Sequence, residues 1–192
     1  MKLVIASNNK GKIREYKQLL EPLGYEVISQ SDAGINIEVE ETGTTFAENS
    51  ALKARAIYNI CKCAVLADDS GLVVEALNGE PGVYSARYGG LKTDEERSNL
   101  ILEKMQNVPD EKRNAYFACT IHFIDESGNE TAVEGRVNGK IGYKPLGENG
   151  FGYDPIFMYE GKSFAQVDAD VKNSVSHRAN ALKKLIDELK GK

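Results

Sequence analysis

Apolar positions in this chain alternate between short continuous runs and stretches spaced at the helical period, the pattern of strands interleaved with helices. Residues 2–6 read as a short buried strand, followed by a polar loop over 7–12. Ile13, Tyr16, Leu19, Leu20 and Leu23 then recur at about 3.6 residues, so a first helix is expected there. A second strand covers 25–29, and an acidic segment without clear period ends in Glu38, Val39, Glu40 and Glu41. Thr45 and Glu48 frame a capping box that opens a helix running to about Cys61. Residues 64–67 form a strand expected to end in a turn over Asp68, Asp69, Ser70 and Gly71. A turn at 79–82 follows, and a second capping box, Thr93 with Glu96, starts a helix to Met105. Residues 116–124 and 130–141 alternate as two strands joined by a turn at 126–129. A glycine-rich loop over 147–152 precedes a short strand at 155–157. Ser176 caps a last helix with Leu182, Leu185, Ile186 and Leu189 on one face, and Gly191 stops it. No repeat, linker or low-complexity run interrupts residues 1–192, which read as one α/β domain with a mixed central sheet flanked by helices.

Composition narrows this picture. At 192 residues a chain buries roughly 70% of its unfolded surface, so no disulfide or metal staple is required. Hydrophobic residues at 41% and charged residues at 28% exclude a disordered tail. Twenty-four basic against 29 acidic residues leave a net charge of −5, which gives no general attraction for a nucleic-acid backbone. Any polyanion must therefore meet a local basic pocket. Three cysteines, Cys61, Cys63 and Cys119, follow no secretion signal and are expected as reduced thiols in the cytoplasm. The apolar runs are far shorter than the ~18 residues of a membrane span, so no membrane partner is expected.

The polar loops carry the candidate chemistry. Ser7, Asn8, Asn9, Lys10, Gly11 and Lys12 sit between a strand and a helix start, where free N–H groups and two lysines suit an anion. An ordinary solvated loop fits that spacing equally, and the segment is no Walker A loop, since Ile13 stands at the Ser/Thr position. Lys53 shares a helix stripe with Asn49 and Ile57, so it either snorkels to solvent or turns its ammonium into a cleft. Neighbouring strand residues point to opposite faces, which splits Asp68 from Asp69 and Glu40 from Glu41. One carboxylate of each pair makes a reasonable Mg²⁺ site, while turn formation and a solvated acidic run explain the same residues without one. Cys119 and His122, three apart on a strand, face opposite sides and make no zinc site with Cys61 and Cys63. Phe151, in a loop that lacks the dinucleotide-binding glycine spacing, is either a hydrophobic plug or a platform for a base. Lys172, His177 and Arg178 gather donors at the start of the last helix, where cations oppose the dipole.

Six segments in order resemble the inosine triphosphate pyrophosphatase family, the house-cleaning dITP/XTP pyrophosphatases. They are residues 7–12, 40–49, 67–72, 81–88, 150–155 and 176–178. Ser7-Asn8 replaces the Thr-Gly or Thr-Asn of many members, which leaves the lysines in place. The resemblance implies an elongated two-lobed fold with its cleft between the lobes, assembled as a homodimer. It implies Mg²⁺-dependent hydrolysis of non-standard purine nucleoside triphosphates (ITP, dITP, XTP) to the monophosphate and pyrophosphate. Residues 7–12 and Lys53 would contact the triphosphate, and Glu40 and Asp69 would hold magnesium. Asp69 would also take the proton of the attacking water, with Asp68 in support and Ser70 touching substrate. Phe151, Gly152, Tyr153, Asp154, Lys172, His177 and Arg178 would form the nucleoside pocket. A pyrophosphatase for pyrimidine or other modified nucleotides and a non-catalytic nucleotide sensor are the alternatives. Three carboxylates, Glu40, Asp68 and Asp69, speak against a sensor, since binding an anion does not call for them.

Overall fold

The computed structural model describes residues 2–191. Its strands are β1 (Lys2–Ile5), β2 (Glu26–Ser29), β3 (Val65–Val74), β4 (Asn114–Ile124), β5 (Glu130–Ile141), β6 (Phe157–Tyr159) and β7 (Lys162–Ser163). Its helices are α1 (Lys10–Leu20), α2 (Phe46–Cys61), α3 (Asp94–Lys104), α4 (Ala169–Val175) and α5 (His177–Lys190). The strands form one mixed sheet in the order β2-β1-β3-β4-β5-β6-β7. β1 pairs in parallel with β2 and with β3, through Val4 opposite Ile28 and Val65. β6 pairs antiparallel with both β5 and β7. Among the described residues no helix is long and apolar enough to cross a membrane.

The chain divides into two compact units. The first comprises residues 1–69, 119–135 and 178–192, and the second 70–118 and 136–177. In the first, Leu3, Ile5 and Leu66 of the sheet pack with Tyr16 and Leu20 of α1 and Leu182 and Leu185 of α5. A second cluster there joins Val4, Val65 and Ala67 to Ala54 and Ile57 on the inward stripe of α2. The core of the second unit is aromatic, with Phe117, Phe157 and Phe164 in mutual contact. Both expected capping boxes are present, Thr45 with Glu48 on α2 and Thr93 with Glu96 on α3.

Several expectations need correction. The strand at residues 64–67 does not stop at a turn: β3 runs on through Asp68, Asp69, Ser70 and Gly71 to Val74. Asp-Asp-Ser-Gly favours a turn locally, but Asp68 and Asp69 each find a hydrogen-bonding partner inside the protein, and Leu72 and Val74 continue the apolar run. The polar loop ends earlier than expected, because Asn9 caps α1 and places Lys10, Gly11 and Lys12 in its first turn. α1 stops at Leu20, and Glu21, Pro22 and Leu23 form a 3₁₀ turn with Leu23 exposed. Pro155 opens another 3₁₀ turn, Asp154–Ile156, so the predicted strand begins only at Phe157. α4 precedes Ser176 and has no counterpart in the periodicity.

Candidate active site

The first unit brings seven charged side chains from five segments into one network. Lys12, in the first turn of α1, places Nζ 3.1 Å from Asp68 Oδ2 and 3.4 Å from the Asp68 carbonyl oxygen. Arg178, at the start of α5, donates through Nη2 to the same Asp68 oxygen at 3.0 Å and through Nη1 to Glu15. All three side chains of this Arg–Asp–Glu triad are almost fully buried. Burial opposes ionisation of Asp68, but Lys12, Arg178 and Lys53 outweigh it and hold the carboxyl well below the usual carboxylate range. Cys119 lies beside it, with Sγ 3.7 Å from Asp68 Oδ2.

Asp69, on the opposite face of β3, meets a different set. Asn49 of α2 donates Nδ2–H to Asp69 Oδ2 at 3.1 Å, and Lys53, one turn on, lies 3.6 Å from Oδ1. Lys53 also pairs with Glu41 at 2.6 Å. Burial chiefly raises the Asp69 pKa, with Lys53 and Lys12 opposing, so this carboxylate is the more basic of the adjacent pair. Lys53 is pulled down by burial, yet Asp69, Asp68 and Glu41 more than compensate and keep it charged. The strand alternation expected from the sequence therefore holds, although neither aspartate braces a turn.

The first turn of α1 carries no acidic residue to oppose an incoming anion, and of its two lysines Lys12 already meets Asp68. Ser7 Oγ accepts the Asn9 N–H at 3.1 Å, Asn8 bonds Ser31, and Asn9 Oδ1 caps Lys12 N–H at 3.1 Å. Lys10 and Asn8 line a cavity of about 540 Å³ with Arg14 and Lys17. Ser70 follows Asp69 on β3, half-buried.

In the second unit, Lys172 of α4 pairs with Asp154 at 2.5 Å, both buried. Asp154 Oδ2 also accepts the Phe151 N–H at 2.9 Å, and the Lys172 ammonium sits 4.8 Å from the Phe151 ring centroid. Gly150 has φ +77°, and a Cβ there would meet Asp154 Oδ2 at 2.1 Å, so the loop closes this tightly only on glycine. Gly152 N–H is held by Asp94 at 2.8 Å, and the Tyr153 hydroxyl donates to the Ser85 carbonyl at 2.7 Å. His177 stacks on Phe117 with centroids 4.9 Å apart.

Two of the expected site residues differ in their surroundings from their neighbours in the motif. Arg178, which the resemblance groups with Lys172 and His177 in the nucleoside pocket, has both terminal nitrogens engaged by Glu15 and Asp68. The dipole argument missed this because the compensating carboxylates come from α1 and β3. Of the two glutamates, Glu41 reaches Lys53, whereas Glu40, the one the resemblance singles out, is exposed. Sequence reasoning also passed over Glu15 and gave Asn49 no role. Asn49 is a neutral residue on a stripe that looked like core, and only its position one turn before Lys53 hinted at more.

Fold and site together define an α/β protein that sets a cationic helix start and paired carboxylates on one scaffold. The chain belongs to the Ham1 family, whose sequence model matches residues 3–188. It is 46% identical over 186 residues to the dITP/XTP pyrophosphatase of Bacillus subtilis (strain 168), covering 95% of this chain and 93% of that one. Against the dITP/XTP pyrophosphatase of an Exiguobacterium species, identity is 49% over 192 residues, with 98% and 97% covered. Among solved structures, the Staphylococcus aureus Ham1 protein superposes with TM-score 0.86 at 44% identity, covering 100% of this chain and 99% of that one. A HAM1 protein from Coxiella burnetii gives TM-score 0.87 at 39% identity, with both chains fully covered.

Proposed function

We propose that this chain hydrolyses non-standard purine nucleoside triphosphates, dITP, ITP and XTP, to the monophosphate and pyrophosphate, and so removes them from the nucleotide pool. The observation that carries this reading is the adjacent pair Asp68 and Asp69 on β3, with Lys12 and Arg178 on the first and Asn49 and Lys53 on the second. Three cations hold Asp68 ionised, while burial keeps Asp69 comparatively basic. The names of the relatives agree with it.

The donor set fits Mg²⁺, a hard ion that takes one or two carboxylates and fills its shell with water and phosphate oxygens. Lys53 already places a positive charge against Glu41 and Asp69, so these oxygens face a cation in the protein itself. Asp69 and Glu40 would hold the Mg²⁺, with Glu41 adjacent. When bound, the ion neutralises phosphate charge and polarises the phosphorus under attack. Asp69 is the proton acceptor for the attacking water, its carboxylate held in place by Asn49. Asp68 supports it by keeping Lys12 and Arg178 in place. Residues 7–12 and Lys53 take the triphosphate, and Ser70 contacts substrate. No covalent nucleophile is required, because positioning and charge stabilisation carry phosphoryl transfer.

If Lys53 binds phosphate, Lys53→Ala will raise KM by roughly 10-fold or more, the scale of a charge-assisted hydrogen bond. Added salt will change this ratio little, since the Lys53 side chain is only 14% exposed. Unchanged kinetics would return Lys53 to a purely structural pairing with Glu41.

Base recognition falls to Phe151, Gly152, Tyr153, Asp154, Lys172 and His177, with Arg178 next to His177 at the start of α5. Lys172 offers only donors, which suit the 6-oxo group of hypoxanthine and xanthine and oppose the 6-amino group of adenine. A site built on such a bond can reject the wrong partner by roughly 10⁴-fold. The test is kcat/KM for dITP, XTP, GTP and ATP in wild type and in Lys172→Met. ATP is expected to be far the poorest of the four in wild type, with the gap narrowing in the variant. An equal loss on all nucleotides would assign Lys172 to holding Asp154 alone. The assembly we propose is a homodimer, for which light scattering should give twice the chain mass, working in the cytoplasm with its three thiols reduced.

A further inference from the structure

Asn49 is completely buried on α2, and its amide joins two segments that lie far apart in sequence. Nδ2 donates to Asp69 Oδ2 at 3.1 Å, and Oδ1 accepts the Gly43 N–H at 2.8 Å. The orientation follows from the partners. A backbone N–H only donates and a carboxylate only accepts, so a flipped amide would break both bonds. Gly43 ends the acidic stretch that carries Glu40 and Glu41. A Cβ at Gly43 would meet Asn49 Oδ1 and Glu48 Cβ, each at 2.6 Å, so glycine is what lets this loop come so close. The helix itself is fixed just before Asn49 by the capping box, in which Glu48 takes the N–H groups of Thr44 and Thr45.

We propose that Asn49 is a positioning residue of the hydrolytic site. It ties the loop bearing Glu40 and Glu41 to Asp69 and sets the direction in which the Asp69 carboxylate presents its oxygens. This rests on the function proposed above for the acidic cluster. A leucine would copy the branched shape without bringing polar atoms into the core. The amide instead satisfies both of its ends on the two segments that carry the acids. Partners that orient a metal-binding carboxylate are typically worth ~10–100-fold in metal affinity or activity, and a ~1 Å misplacement can cost ~10² in rate.

Three variants of the full-length enzyme separate this role from simple packing. Asn49→Leu keeps the branched shape and removes both bonds, while Asn49→Asp keeps the acceptor for Gly43 and loses the donor to Asp69. Gly43→Ala pushes the loop away and leaves Asn49 intact. Each is measured for kcat and KM on dITP, for Mn²⁺ affinity without nucleotide by electron paramagnetic resonance, and for Tm. Both Asn49 variants are expected to lose about 30–100-fold in kcat with KM within about 3-fold. Asn49→Leu should also lose about 10-fold in Mn²⁺ affinity, and Gly43→Ala about 10-fold in kcat. Should an Asn49 variant fail to fold, Gly43→Ala decides by the same kinetic split. Wild-type kcat and Mn²⁺ affinity in the folded variants, with only Tm lowered, would overturn the assignment. A wild-type enzyme that released no pyrophosphate from dITP would instead overturn the proposed function, so the two failures are told apart.

Discussion

An Asp69→Asn enzyme is expected to lose at least ~10²-fold in kcat while still binding nucleotide, the usual scale for loss of a general base. The substitution is nearly isosteric, and the new amide can turn its oxygen toward the Asn49 Nδ2–H that now serves the carboxylate. Folding should therefore be little affected, and the loss will appear in turnover rather than in Tm. Asp68→Asn gives a useful contrast, because Asp68 is bound on one oxygen by both Lys12 and Arg178. Its loss will lower Tm as well as rate. Near-wild-type turnover in Asp69→Asn, measured as pyrophosphate release at saturating substrate, would remove Asp69 from the proton-transfer role.

The largest expected effect on stability belongs to Arg178. Its guanidinium is buried between Glu15 and Asp68, so Arg178→Met leaves two buried carboxylates without their shared cation. Breaking a buried ion pair by removing one partner costs about 3–5 kcal/mol, which for a chain of this length lowers Tm by on the order of 10 °C. The pH dependence carries a sign. The folded pKa of Asp68 is depressed, so its contribution is fully present above the ordinary aspartate value of ~3.9. It is lost progressively as pH falls below that value and through the folded pKa. In Arg178→Met the Asp68 carboxyl loses one of the cations that depress it and its folded pKa rises, so acid will cost the variant less than it costs wild type. Parallel Tm profiles between about pH 3 and 7 would contradict this role of Arg178.

The features legible in the sequence were those written in neighbouring residues. The capping boxes at Thr45 and Thr93 need only a partner three positions away, and β5 alternates so regularly that its bounds match the observed strand. Asp68-Asp69-Ser70-Gly71 misled for the opposite reason. The cation that lets Asp68 continue a strand lies 110 residues further along the chain, and the carboxylate that balances Arg178 lies 163 residues before it. α4 escaped notice because it is only seven residues long and exposes Val171, so no helical period could register. The resemblance located the acidic and basic segments, yet it did not say which oxygen faces which cation. Those details, with Glu41 rather than Glu40 on Lys53 and Asn49 between Gly43 and Asp69, belong to the packing of α2 against β3.

The central claim is the bond that is cut and the nucleotide on which it is cut. Phosphorus NMR of the wild-type enzyme with Mg²⁺ and dITP, XTP or ATP in separate tubes tests both at once. Pyrophosphate and the nucleoside monophosphate are expected in equal amounts from dITP and XTP, and almost none from ATP. Orthophosphate with a nucleoside diphosphate as the products, or ATP consumed as fast as dITP, would contradict it.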